Sequence, residues 1–340
     1  MTYTIKDVAK EANVSIATVS RVINDKDKVK KETREKILRA IEKLNFMPDQ
    51  AARTMIHKKT KTIGMIVPQL SNEYWGTMAE IVQSVLLEKG YTLIIGTSNS
   101  EQGSEFLALN TFLERRVDGL IIGAIYKSDA ENYLGVFKDQ GIPLISLYPL
   151  IPNIPTVCGD NLRSSMDAVE HLIQLGHTKI AYIGSASTGL ERELGYRNAL
   201  MLNNIAVDEK IIVSGRNNFV HYFSEYGYEC ARQLISEEND FSAIFCSNDL
   251  IAIGTIKAFE EHGIDVPKDK AVVGFDDISM ARLYRPALTT VKQPLEEIVD
   301  AALELLLEQI DNPDKSFTQK KITLPMKLIV RESCGSQKKT

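Results

Sequence analysis

The first forty-odd residues carry an apolar pattern of helical period. In Thr4 to Asn24, TIKDVAKEANVSIATVSRVIN, Val8, Ala9 and Ala12 share one side at helical spacing. Thr4 is an N-cap type of residue, and Asp7 stands three residues on, where a capping box places its acid. Asn13 tolerates turn geometry and breaks the run. Ser15 caps a second predicted helix, in which Val19, Val22 and Ile23 point inward. Its other face carries Ile16, Ala17, Thr18, Ser20, Arg21 and Asn24, short or polar side chains with one arginine. A third helix is predicted from about Lys31 to Leu44, with Ile37, Ile41 and Leu44 on one side, and Asn45-Phe46-Met47-Pro48 stops it. The pattern predicts a helix-turn-helix unit over residues 1–46. A second helix with such a polar face can lie against base edges in a major groove.

Residues 47–60 have a different character. DQAARTMIH (Asp49 to His57) consists of good helix formers but is too short to be stable alone. It is either a plain linker or a helix that orders only against a partner, a second copy of itself or DNA. Lys58 to Lys61 is a polar joint.

From Thr62 the pattern becomes strands alternating with helices. TIGMIVP, TLIIGTS, GLIIGA and PLISLY are short, nearly continuous apolar runs, separated by amphipathic stretches near 73–89, 102–116 and 129–140. The rhythm restarts after Asp160 with KIAYIGS, IIVSGR, AIFCSND and AVVGFDD, and with helices near 161–176, 189–204, 225–236 and 249–263. Continuous apolar strands between helices indicate parallel sheets covered on both faces. The fold class is therefore α/β: a small all-α head, then two doubly wound lobes in tandem over 61–340. Ligands of such sheets sit beyond the carboxyl ends of the strands. Two facing lobes put those ends around one cleft.

Charge changes the picture. The 340-residue chain has a net charge of −5, but residues 1–60 hold 14 Lys and Arg against 8 Asp and Glu, an excess of six. The rest therefore carries −11. A basic head on an acidic body suggests that only the head meets phosphate. No apolar run is long enough to span a bilayer, and the N-terminus has no signal-peptide pattern. Cys158, Cys230, Cys246 and Cys334 fit neither a metal spacing nor a disulfide framework, so a cytoplasmic location is expected. The five dispersed histidines disfavour a metal site, and His177 looks structural. No phosphate loop, dinucleotide fingerprint or nucleophile–base pair stands at a strand end, so neither a cofactor nor an enzyme is expected.

The candidate ligand residues are those at strand ends. Tyr74 and Trp75 open the helix after TIGMIVP, and such rings stack on sugar or base faces. Arg192 follows KIAYIGS and offers five fixed donors. Asp160 ends TVCGD, Tyr222 follows IIVSGR, Asn248 and Asp249 end AIFCSND, and Asp276 and Asp277 end AVVGFDD. A carboxylate accepts from paired hydroxyls and an amide does both, which suits a polyol. The structural alternative is a polar residue that caps the next helix, above all at Asp249 and Asp277.

Ile5, Asp7, Val8, Ala9, Ala12, Val14, Ser15, Thr18, Val19, Val22 and Ile23 resemble the N-terminal signature of the lactose-repressor/galactose-repressor (LacI/GalR) family, and the resemblance runs through the whole chain. It implies a periplasmic-binding-protein-like type I body with three crossings between lobes, placed near Asp160, Thr290 and Ile322. Lobe one is then about 61–160 plus 290–321, and lobe two about 161–289 plus 322–333. The resemblance implies a homodimeric transcriptional regulator, expected to be a repressor, on a pseudo-palindromic double-stranded DNA operator. Thr4, Ser15, Ile16, Ala17, Thr18, Ser20, Arg21 and Asn24 are its candidate DNA contacts. Residues 47–60 match the hinge helix, with Ala52 and Met55 as minor-groove contacts and Met55 where the family usually has a leucine wedge. The effector contacts implied are Arg192, Asn248 and Asp276, with Asp160 and Tyr222 at matching positions. The expected effector is a small molecule, a sugar or sugar derivative. A rival is control by a phosphoprotein, for which Arg282, Arg285 and the surface of the first lobe would matter more than the cleft.

Overall fold

The computed structural model describes residues 3–23, 29–46, 59–98, 104–123, 130–147, 153–185, 189–215, 223–313 and 320–336. The chain divides into two compact units, Met1–Thr60 and Lys61–Thr340. Asn24, Ala52, Met55 and Tyr222, together with most of the 47–60 segment, lie outside the described residues.

The first unit holds α1 (Ile5–Glu11), α2 (Ile16–Ile23) and α3 (Lys31–Lys43). Val8, Ala9, Val19, Val22, Ile37 and Ala40 form its core, and Ile5, Ala12, Val14, Ile41, Leu44 and Phe46 pack around it. Both turn signals are realised. The Asp7 carboxylate accepts from the Thr4 N–H at 2.8 Å and the Thr4 hydroxyl at 2.7 Å. Asn13 takes a φ of 53°, the left-handed region in which Asn is at home.

The second unit contains two six-stranded sheets. Sheet one is built from β1 (Thr62–Val67), β2 (Thr92–Thr97), β3 (Gly119–Ile122), β4 (Leu144–Ser146), β5 (Thr156–Gly159) and β11 (Lys321–Leu324), in the order β11-β5-β4-β3-β1-β2. Sheet two is built from β6 (Ile180–Ser185), β7 (Ile212–Gly215), β8 (Ala243–Cys246), β9 (Ala271–Asp276), β10 (Thr289–Lys292) and β12 (Lys327–Ile329), in the order β12-β10-β9-β8-β6-β7. All pairings are parallel except β10 with β12.

Helices α4 (Glu73–Glu88), α5 (Ser104–Glu114), α6 (Ala130–Asp139) and α12 (Leu295–Asp311) belong to the first lobe. Helices α7 (Asn161–Gln174), α8 (Gly189–Leu202), α9 (Phe223–Ser236), α10 (Asp249–Glu261) and the short α11 (Ser279–Leu283) belong to the second. Each sheet has a core on both faces. In lobe one, α4 and α12 cover one face and α5 and α6 the other. In lobe two, α9 and α10 cover one face and α7 and α8 the other. Burial on both faces explains why the strands read as unbroken apolar runs.

The crossings need correction. The first does fall at Asp160, between β5 and α7. Thr290, however, lies inside β10 of sheet two, paired with Gly274, and the chain crosses only at Gln293-Pro294. Ile322 lies inside β11 of sheet one, paired with Val157, and the third crossing is at Pro325-Met326. Proline supplies no backbone donor for a ladder, so each break falls where a strand cannot continue.

Candidate functional sites

In the first unit, the Ser15 hydroxyl accepts from the Thr18 N–H at 3.1 Å and lies 2.7 Å from the Thr18 hydroxyl. This cap starts α2 on the face opposite the core. Ser15, Ile16, Ala17 and Arg21 are exposed, and Thr18 and Ser20 are partly so. Ile16 is 44% exposed, a large apolar side chain left in water at a helix start. Such a group fits a thymine methyl in a major groove, beside hydroxyls and a guanidinium that can meet base edges or phosphate. The backbone and hydroxyl of Thr4 hold the Asp7 carboxyl below its usual range. Thr4 therefore spends its own N–H and hydroxyl on the helix.

In the second unit, a chain of polar contacts runs around the ends of the strands. The Tyr74 hydroxyl, from α4 of lobe one, donates to Gln293 Oε1 at 3.2 Å. Gln293 Nε2 donates to Asp276 Oδ1 at 2.8 Å, and Arg192 Nη2 reaches the same oxygen at 3.2 Å. Arg192 Nε donates to Asn161 Oδ1 at 3.1 Å, and Nη1 donates to the Ser247 carbonyl. The guanidinium lies 3.7 Å from the centroid of the Phe275 ring, a cation–π contact. Asn161 Nδ2 donates to Glu191 Oε2 at 3.3 Å, and Glu191 pairs with Lys321 of lobe one at 3.7 Å. Burial raises the Asp276 carboxyl pKa, with Arg192 and Gln293 opposing. Burial also pushes the Cys158 thiol up to about 11, with Glu191 adding to the rise.

Of the residues expected in the cleft, Tyr74, Arg192 and Asp276 come together in this network. Asn248 adjoins it through Ser247, and Asp160 through Asn161. Trp75 meets Tyr74 edge-on, with ring centroids 4.9 Å apart. It also packs so closely on Gly123 that a Cβ there would stand 2.7 Å from its ring. Asp160 caps α7, accepting from the Arg163 N–H at 2.9 Å.

The expected caps need a second correction. Asn248, not Asp249, caps α10: its Oδ1 accepts from the Ile251 N–H at 2.8 Å. Asp249 turns into the core, where it accepts from the Thr290 hydroxyl at 2.5 Å and the Ile278 N–H at 2.9 Å. Asp277 pairs with Arg331 at 2.6 Å and caps nothing. Asn248 Nδ2 is buried with no hydrogen-bond partner. Sequence reasoning missed Asn161, Gln293, Glu191 and the Ser247 carbonyl. Asn161 and Ser247 stand at strand ends and could have been found by the rule that found Arg192. Gln293 also directly follows a strand, β10, but that strand itself was not read from the sequence.

Together these features define a helix-turn-helix head followed by a two-lobed α/β binding body. Residues 4–49 match the family described as "Bacterial regulatory proteins, lacI family", and residues 169–334 match a "Periplasmic binding protein-like domain". Catabolite control protein A of Priestia megaterium is 33% identical over 341 residues, covering 98% of this chain and 99% of that protein. The Lac repressor dimer bound to operator and the anti-inducer ONPF superposes with a TM-score of 0.85 at 26% identity, over 98% of this chain and 99% of that one. The complex of the transcriptional regulator CelR with cellobiose gives 0.72 at 27%, over 97% and 99%. This chain belongs to the LacI family of bacterial regulatory proteins. It is a DNA-binding transcriptional regulator and not an enzyme. Among the described residues no helix is long and apolar enough to cross a membrane, and no group of three His, Cys, Asp or Glu could hold a metal ion.

Proposed function

We propose that the protein is a cytoplasmic, homodimeric repressor whose hold on a pseudo-palindromic operator is set by a small molecule, a sugar or sugar derivative, bound between the lobes. The effector contacts are Tyr74, Trp75, Asp160, Arg192, Asn248 and Asp276. The DNA contacts are Ser15, Ile16, Ala17, Thr18, Ser20 and Arg21; Thr4, whose donors are committed to Asp7, is not among them. The observation that carries the effector reading is Asn248 Nδ2, a buried donor without an acceptor on the residue after Ser247, whose carbonyl Arg192 meets, while Arg192 and Gln293 both bond Asp276. An orphaned buried donor costs about 1–3 kcal/mol. A ligand hydroxyl would relieve it and could exchange with the paired groups. The CelR relative is a cellobiose complex, and the Lac repressor relative holds operator and ONPF together, which supports the same division of labour. Control by a phosphoprotein would find Arg282 and Arg285 of lobe two exposed, but has less support on lobe one. The exposed face of α12 on lobe one presents Glu296, Glu297, Asp300 and Glu304, and the helix contains no Lys or Arg to receive a phosphate.

The test is thermal unfolding of the full chain against neutral sugars, sugar acids and nucleobases. A specific ligand at 100 times its dissociation constant adds about 2.7 kcal/mol. Arg192→Lys should abolish that shift while operator binding persists. A panel without any hit, combined with tight binding of a phosphoprotein, overturns the small-molecule reading.

A further inference from the structure

Glu73 makes a contact that the effector network does not use. It is the first residue of α4, where a carboxylate is favourable for the helix dipole alone. Yet both its oxygens go to the other lobe. Oε1 accepts from the Ser279 N–H at 2.6 Å, and Oε2 accepts from the Ser279 hydroxyl at 3.1 Å, a contact 206 residues apart in sequence. Ser279 is the first residue of α11. It ends a four-residue loop in which each residue is tied down separately. Asp276 is held by Arg192 and Gln293, Asp277 by Arg331 and Thr290, and the Ile278 N–H by Asp249. The loop is thus a rigid abutment rather than a mobile arm, and Glu73 fastens lobe one to it.

Of the other contacts between the lobes, Lys321–Glu191 is a looser pair at 3.7 Å with the lysine half-exposed, and the chain from Tyr74 differs in kind. Tyr74–Gln293–Asp276–Arg192 consists of groups that an effector would engage, so a ligand replaces one set of hydrogen bonds with another. The Glu73–Ser279 pair lies outside that set. We propose, relying on the cleft as effector site only for the consequence, that Glu73 and Ser279 form a ligand-independent latch that sets the balance between closed and open lobes. The consequence is quantitative. When only the closed form holds the effector fully, the apparent dissociation constant is the intrinsic one divided by the closed fraction. The latch raises that fraction before any ligand arrives. Glu73 is therefore a positioning residue for effector affinity and need not touch the effector.

The test uses the full chain without effector. Trp75, the only tryptophan, stands two residues from Glu73 and reports opening through acrylamide quenching. The variants are Glu73→Ala and Ser279→Pro. Proline at the first helical position keeps α11 while deleting both donors from the far lobe. Ile278 already has the extended backbone (φ −64°, ψ 159°) that a following proline requires. Two charge-assisted hydrogen bonds at a partly exposed site correspond to a fall of about five- to tenfold in the closed-to-open ratio.

Each variant should raise the quenching constant and the radius of gyration in solution scattering by the same amount. The double variant should do no more than either single one. Equal quenching in wild type and both variants overturns the latch. So does a change in Glu73→Ala alone, which marks a local effect on the indole, or a change in Ser279→Pro alone. Additive effects in the double variant also overturn it. None of these outcomes depends on identifying a ligand, so the latch can fail while the effector reading stands, and the reverse.

Discussion

Arg192→Met keeps an unbranched apolar side chain over the Phe275 ring and removes the guanidinium. That group meets Asn161 Oδ1, the Ser247 carbonyl and Asp276 Oδ1, and the Arg192 and Asp276 side chains are only 7% and 6% exposed. Water screens such a pair little. The variant strands the Asp276 carboxylate with Gln293 as its remaining donor, in a place where burial already raises its pKa. Breaking a buried pair from one side costs about 3–5 kcal/mol, because a charge is left uncompensated. Contact between the Met sulfur and the Phe275 ring returns on the order of 0.3–1.5 kcal/mol. The expected net loss is roughly 1.5–4.7 kcal/mol. Adding Asp276→Asn removes the stranded charge and keeps a residue tolerant of the φ of 113° at that position. The double variant should lose only about 1–3 kcal/mol, the part due to the orphaned Asn161 and Ser247 acceptors. Urea unfolding of the full chain followed through Trp75 measures this, because the sole tryptophan lies in the second unit and is blind to melting of the head. The second substitution should therefore rescue the first. A single variant that costs under about 1 kcal/mol, or a double variant worse than Arg192→Met, would refute a dry and coupled pair.

Asn248→Ser keeps a good cap for α10 and deletes only the amide donor; it should cost less than about 1 kcal/mol of stability yet abolish the thermal shift by any sugar that stabilises the wild type. Asp249 is fully buried, and burial together with the nearby Asp276 holds its carboxyl well above the ordinary range. A raised folded pKa means that the native state keeps a proton the unfolded chain releases, so this group's stabilisation is complete below about pH 4 and is lost as pH rises through the folded value. Asp249→Asn should flatten that decline in urea midpoints taken across pH 4 to 8; an unchanged profile refutes the assignment. Ser15→Ala should destabilise the head by about 1 kcal/mol in circular-dichroism melts. Ser15→Asp, an equally good cap, should keep the melt and weaken operator binding by placing a carboxylate near phosphate.

Much of the fold was legible because its signals are local. Thr4 with Asp7, Asn13 and Ser15 state where two helices begin and end, and the structure honours each. The central strands were legible because burial on both faces leaves unbroken apolar runs. The crossings were misplaced because β10, β11 and β12 are short elements, TTVK, KITL and KLI, the last two at sheet edges, with little to distinguish them. Which sheet each joins depends on pairing across the whole body. Only the prolines at 294 and 325 mark the breaks, and a proline forbids continuation without naming the next partner.

The candidate site shows a different limit. A polar residue at a strand end has two uses, capping the next helix or facing a ligand, and the sequence invites a choice between them. Asn248 and Asp249 show why the choice is false. Asn248 has an extended backbone (φ −155°, ψ 168°) and caps α10 through Oδ1, so Asp249 is free to turn inward. It can do so because residue 274 is glycine: a Cβ there would stand 2.3 Å from Asp249 Oδ1. That vacancy is set by β9, some 25 residues along the chain, and nothing near Asp249 announces it. The amide at 248 has an acceptor and a donor on separate atoms, so capping consumes one and leaves the other. A carboxylate at 248 would have capped equally well and left nothing to donate. The residue type thus matters for the function it still has to perform after the fold has taken its share.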